Sequence, residues 1–126
     1  FVDMLIFDAL IYNEDRHFGN FGLIVDNKTN TPCSFAPLFD NGLSLFNYAT
    51  DEKLENIEEY AKTRSSAYGV PFENIIKEFI APRHKEQLRK MIGFRFERDR
   101  NYNLPAKRLR IIEKQLQRRV IEMLEM

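Results

Sequence analysis

The sequence predicts a mainly α-helical fold with one small β-hairpin, read as a single domain over residues 1–126. Three observations carry this. Apolar residues recur at helical spacing in Phe72, Ile75, Ile76, Phe79 and Ile80, and again in Leu109, Ile112, Leu116, Val120 and Met123. Residues 1–12 are apolar almost all round, with Asp3 and Asp8 the sole charges, as in a buried helix. Two short β-prone runs flank the turn-rich segment Asp26–Asn30.

In chain order, a buried helix is expected over Phe1–Tyr12. Within it Asp8 needs a partner, because an unpaired buried carboxylate is costly. It either braces the following loop by hydrogen bonds or sits partly exposed. Asn13–Asn20 cannot be regular helix throughout, since Gly19 and the asparagines favour turns. Glu14 is expected to face solvent. Phe21–Val25 and Cys33–Phe39 are the expected strands, kept short by Pro32 and Pro37. A lone hairpin is marginal, so it is expected to pack on helices. It also brings its two ends, Asn20 and Asp40, towards one place.

Asp51–Lys62 reads as a helix with Leu54, Ile57 and Tyr60 on one side, and Thr63–Ser66 as an exposed loop. Pro71 opens a helix through Ile80. Pro82 ends it or opens the next, whose apolar stripe is Leu88, Met91, Ile92 and Phe96. Asp99–Leu104 is a break, and Pro105 opens a final helix to about Met126. Its cationic residues cover the edges of the apolar stripe.

Composition narrows the class. No apolar run reaches the ~18 residues that a membrane helix needs. The single cysteine, Cys33, allows no internal disulfide and fits a reducing cytoplasm. Net charge is zero but unevenly spread: residues 1–81 hold 6 basic and 13 acidic side chains, and residues 82–126 hold 13 and 6. A basic tail of this kind can contact nucleic acid or an acidic protein. The favoured reading is that the two halves of one fold attract each other, because no stacking motif accompanies the charge. A zinc site at His17 is excluded, since no cysteine or second histidine lies at ligand spacing.

Two motifs carry chemistry. Asn13-Glu14-Asp15-Arg16-His17-Phe18-Gly19-Asn20 presents a carboxylate and an amide from a loop, and Pro37-Leu38-Phe39-Asp40-Asn41-Gly42 presents a second carboxylate at a turn. Phosphoryl transfer needs this equipment: one Asp to accept or orient the attacking hydroxyl, and an Asn and a second Asp to hold Mg²⁺ against nucleotide phosphates.

Asn-x-Asp-Arg-His-x-x-Asn followed by Pro-Leu-Phe-Asp-Asn-Gly-x-Ser resembles the catalytic core of the HipA-like serine/threonine kinases. Its Asp-Arg-His-x-x-Asn part is shared with phosphatidylinositol kinases. The resemblance covers roughly residues 3–46. It implies a kinase-like C-terminal lobe, with a catalytic part at 1–46 and a helical subdomain at 47–126. It further implies ATP and Mg²⁺ as cofactors and a protein Ser or Thr hydroxyl as acceptor, as in bacterial toxin–antitoxin systems, with an antitoxin-like partner. Asp15 is then the catalytic residue, and Asn20 and Asp40 are the metal ligands. Asn13, Arg16 and His17 support the loop, Arg16 by pairing with a carboxylate and His17 by bonding to backbone. Asn41 stands where protein kinases place the Phe of Asp-Phe-Gly, so switching driven by that Phe is not expected.

The chain contains no Gly-rich phosphate loop and no strand lysine to clamp phosphates, which kinases draw from an N-terminal lobe. Because it opens on Phe1 inside an expected buried helix, it reads as a piece lacking that lobe. The piece alone is expected to be inactive, and apolar surface around Phe1–Phe7 and the hairpin invites dimerisation.

Overall fold

The computed structural model describes all 126 residues and is mainly helical. Its elements are α1 (Val2–Ile11), β1 (Leu23–Val25), β2 (Pro32–Phe35), α2 (Asp51–Glu55), α3 (Ile57–Lys62), α4 (Phe72–Phe79), α5 (Pro82–Lys90) and α6 (Ala106–Glu125). No helix is long and apolar enough to cross a membrane.

The 20-residue α6 is the hub, packing against α1, α2, α3 and α5, while α4 covers another side of α1. Every residue of the expected α6 stripe is buried, from Leu109 to Met123. From α1 come Met4, Leu5 and Ala9, with Tyr12 just past its end, and from α4 come Phe72, Ile75 and Ile76. Phe72 and Ile76 are completely buried, and Phe72 meets the Tyr12 ring edge-on at 5.8 Å between centroids. α1 ends because Tyr12 adopts a left-handed conformation (φ 55°), its N–H returning to Asp8 O.

Part of the charge asymmetry is met by ion pairs across the fold. Arg83 pairs with Asp3 (2.8 Å), Lys107 with Glu55 (3.0 Å), Arg119 with Glu73 (2.7 Å) and Arg118 with Glu58, each pair joining the basic half to the acidic half. Arg119 is itself buried, its guanidinium lying over the Tyr12 ring at 4.7 Å.

Several expectations are corrected. The segment 51–62 is two short helices, broken at Asn56 (φ −112°, ψ 39°), a residue whose side chain competes for backbone bonds. β2 ends at Phe35 rather than Phe39; Pro37 offers no N–H to extend the ladder. α5 stops at Lys90 and Gly93 turns the chain at φ 78°, so Phe96 lies beyond the helix and Ile92 is 60% exposed. Ser66 in the 63–66 loop is buried, its N–H bonded to Val70 O.

The hairpin does not pack on the helices. Every residue of both strands is exposed, and the strands contact each other. Asp26 Oδ1 accepts from the N–H groups of Lys28 and Thr29 and fixes the turn (2.7 and 3.0 Å). At the hairpin base Phe21 stacks on Phe35, with Phe1 and Phe18 against Phe21. Apolar surface is therefore exposed from Phe1 to the strands.

Candidate active site

α1 delivers the first component. Asp8 is buried at the start of the last turn of α1, where a carboxylate needs compensation. It accepts from Asn13 Nδ2 (3.0 Å) and from two nitrogens of Arg16, Nε and Nη2 (both 3.0 Å at the closest). Of the two readings open for Asp8, the structure shows the brace.

Arg16 is 1% exposed and uses all three guanidinium nitrogens. Nη1 donates to Asn20 O (2.8 Å) and to Phe39 O. Nη2 donates to Asn41 Oδ1 as well as to Asp8. One cation therefore joins α1, the end of the first loop and both neighbours of Asp40. A planar fork of five donors suits this; a lysine would not make these bonds at once.

Backbone bonds strengthen the junction. Glu14 N–H donates to Leu43 O (3.2 Å) and Leu45 N–H to Ile11 O (2.8 Å), so the segment after Asp40 runs beside the end of α1. Leu45 and Phe46 hold φ values of 51° and 59°, which L-residues seldom adopt. Arg108 from α6 pins that stretch, donating to Phe46 O, Asn47 O and Ala49 O at 2.7–3.1 Å. The hairpin joins the two motifs covalently, but Arg16 and this backbone pairing hold them together.

The candidate chemical groups are left open by this framework. The Asp15 carboxylate accepts no hydrogen bond, and the His17 ring stands beside it with Nε2 at 4.0 Å. Asn20 is buried and its Nδ2 donates to Asp15 O (2.8 Å), which fixes the amide and leaves Oδ1 without a donor. Asp40 is exposed, holds a left-handed φ of 52°, and makes no hydrogen bond or ion pair. Asp tolerates this region better than most residues because its short side chain can bond locally.

The supporting residues take distinct parts. Asn13 is fully buried; besides holding Asp8, its Oδ1 accepts from Asp15 N–H (3.2 Å). His17 is exposed, and its Nδ1 accepts from Gly19 N–H (3.0 Å). A Cβ at Gly19 would lie 2.9 Å from His17 Cε1, so a side chain there would displace the imidazole from this turn. Glu14 does not face solvent freely. It is half-buried and pairs with Arg64 (3.1 Å), whose guanidinium covers the Tyr60 ring. Sequence reading missed Asn41 as a partner of Arg16, and Arg108 altogether. Their partners lie 25 and about 60 residues away, beyond any local signal.

No group of three or more His, Cys, Asp or Glu side chains is placed to hold a metal ion. The donors that remain are two carboxylates and one amide oxygen, all hard. They suit an ion that keeps water and phosphate oxygens in its shell, as Mg²⁺ does, and not a dedicated protein cage. Comparison with family models, with curated proteins and with solved structures gives no match to this chain.

Proposed function

We propose that this chain is the catalytic lobe of an ATP- and Mg²⁺-dependent kinase acting on a protein Ser or Thr hydroxyl. The observation that carries the reading is the Arg16 guanidinium, which bonds Asn20 O, Phe39 O and Asn41 Oδ1 together while the Asp15 carboxylate, Asn20 Oδ1 and the Asp40 carboxylate accept no hydrogen bond. What supports the reading is the motif order together with this geometry.

In this reading Asp15 orients the acceptor hydroxyl or takes its proton. Asn20 Oδ1 and Asp40 would hold Mg²⁺, which supplies neutralisation of phosphate charge. Arg16 touches no reactant; it is a positioning residue that sets the separation of the two ligands. Phosphate cover and a phosphate-binding lysine would come from a further lobe, so this chain alone turns over no ATP.

The test is a Mg²⁺ and ATP titration by calorimetry on wild type, Asn20→Ala and Asp40→Ala. Weak Mg²⁺ binding lost in both variants is the expected result. Equal binding in all three proteins overturns the assignment of Asn20 and Asp40. In the intact kinase, Asp15→Ala should lower phosphoryl transfer by on the order of 10²–10⁴-fold while Mg²⁺ binding persists. Steady ATP turnover by this chain alone, abolished by Asp15→Ala, would overturn the need for a second lobe.

A further inference from the structure

The turn over residues 63–71 joins α3 to α4 and reaches back to the first loop at two points. Arg64 Nη1 donates to Glu14 Oε1 (3.1 Å), although the two residues lie 50 apart in the chain. The Tyr68 ring lies against the Phe18 ring, with 5.7 Å between centroids. Glu14 and Phe18 stand on either side of Asp15. Between them the Arg16 side chain is taken up by the buried junction with Asp8. The loop is thus held through its side chains at 14, 16 and 18, while the Asp15 carboxylate accepts no hydrogen bond.

The turn is built to hold a position. Ser66 is buried; its N–H donates to Val70 O (3.0 Å) and its carbonyl accepts from Gly69 N–H (2.9 Å). Ser65 pairs with Pro71 across the turn. At one end Arg64 is fixed further: Nε and Nη2 donate to Thr63 Oγ1 (3.2 and 3.0 Å), and the guanidinium covers the Tyr60 ring at 4.4 Å. At the other end Phe72, the first residue of α4, is completely buried. Both ends of the turn are therefore anchored to helices.

We propose that this turn is the positioning element for Asp15, with Arg64 and Tyr68 as its two positioning residues. The proposal rests on the phosphoryl-transfer reading and adds to it. A group that orients a hydroxyl or takes its proton has to be placed closely, since a displacement of about 1 Å can cost on the order of 10²-fold in rate. Arg16 fixes Asn20 and the neighbours of Asp40, which is the metal side of the site. The turn fixes the hydroxyl side. The Arg64 and Glu14 side chains are 27% and 34% exposed, so their pairing adds little to stability. A positioning role and a merely structural one therefore separate: the rate should fall while the fold stays.

The test measures the intact kinase with Arg64→Met, which keeps the stem over Tyr60, combined with Tyr68→Ala. The double variant should lower kcat about tenfold or more. KM for ATP and Mg²⁺ binding should stay at their wild-type values. Two rescues are expected. Tyr68→Phe keeps the ring and should restore the rate lost in Tyr68→Ala. Glu14→Arg/Arg64→Glu reverses the pair and should recover part of the rate lost in Glu14→Arg. In this chain alone, amide hydrogen exchange in the double variant should accelerate at residues 14–18 and stay slow in α1. Unchanged kcat in the double variant, where Asp15→Ala abolishes transfer, overturns the role of the turn and leaves the phosphoryl-transfer reading standing. A rate unchanged in Asp15→Ala as well overturns both. A loss of kcat that neither rescue recovers, or exchange accelerated over the whole chain, also overturns the proposal, because the turn then acts through the fold.

Discussion

The Arg16 junction and the β-hairpin are neighbours in the chain and opposites in construction. Only Phe21 and Gly22 separate Asn20, whose carbonyl Arg16 holds, from Leu23, the first residue of β1. The junction is buried and ties α1, Asn20, Phe39 and Asn41 through one side chain. The hairpin is exposed along both strands and held by its own ladder, its turn and an aromatic base. The difference teaches where the candidate site gets its geometry. Asn20 and Asp40 are positioned from the helical core, and the hairpin is a span between them. Changes in the junction should therefore be large and changes in the hairpin small.

The largest effect is expected from opening the junction on one side. Arg16→Met leaves Asp8 buried without its cation, and Asp8→Asn leaves Arg16 without its anion. Either should cost about 3–5 kcal/mol, the scale for removing one partner of a buried pair. Urea denaturation reads this as a fall in midpoint at constant slope. Asp8→Leu/Arg16→Met should cost less than Arg16→Met alone, because neither charge is then stranded. A single variant costing under about 1 kcal/mol would show that the junction does not hold the loop.

Next comes Arg108, which supports the strained pair Leu45 and Phe46 from the far side. Arg108→Ala removes three charge-assisted bonds to carbonyls and should cost about 2 kcal/mol. Hydrogen exchange should then accelerate at residues 45–49 and stay slow in α1. Acceleration spread evenly over the chain would contradict a local role.

The same contrast explains what the sequence made legible. Periodicity reports which face of a helix is buried, so the α6 stripe, α4 and the start of α5 could be read. Turn chemistry reports local backbone, so the Asp26–Asn30 turn and the break at Asp99–Leu104 could be read. Asp8 could be read as needing a partner, because burial of a charge is visible in an apolar run; that the partner was Arg16, eight residues on, could not. Leu45 and Phe46 gave no sign of their positive φ, since apolar residues are poor candidates for that region. The packing of the hairpin was misread for a related reason. A lone hairpin is marginal and so calls for cover, and nothing in its residues says whether this chain supplies it.

The hairpin offers the third test. Replacing residues 23–35 by Asn-Gly would close the chain between Gly22 and Ala36, which already share a backbone bond of 2.9 Å. Asn-Gly favours the tight turn that such a pair needs. Shortening the loop changes its closure entropy by no more than about 1–2 kcal/mol, in the favourable direction. The expected outcome is a stability within about 1 kcal/mol of wild type and unchanged Mg²⁺ binding. Loss of Mg²⁺ binding at full stability would mean that the hairpin, and not Arg16, sets the spacing of Asn20 and Asp40.

The smallest effect is expected at Asp3, which lies on the same helix as Asp8 and also carries an Arg partner. Asp3 accepts from Arg83 and from His84 Nε2, and His84 Nδ1 accepts from Ala81 N–H (2.9 Å), so the neutral ring holds its proton on Nε2. The hydrogen bond from His84, and then that from Arg83, pulls the Asp3 carboxyl below its ordinary range. A carboxyl lowered in the folded state adds stability above its unfolded value and loses it as pH falls through the folded one. Asp3→Asn should therefore lie slightly below wild type at neutral pH, and the gap should close as pH drops below about 4. The Asp3 side chain is 73% exposed, so solvent screens the pair and the gap stays small. Two aspartates on one helix thus separate pairing from burial: if Asp3→Asn were as costly as Asp8→Asn, charge pairing alone would explain the junction, and a much smaller cost assigns the difference to the buried fork of Arg16.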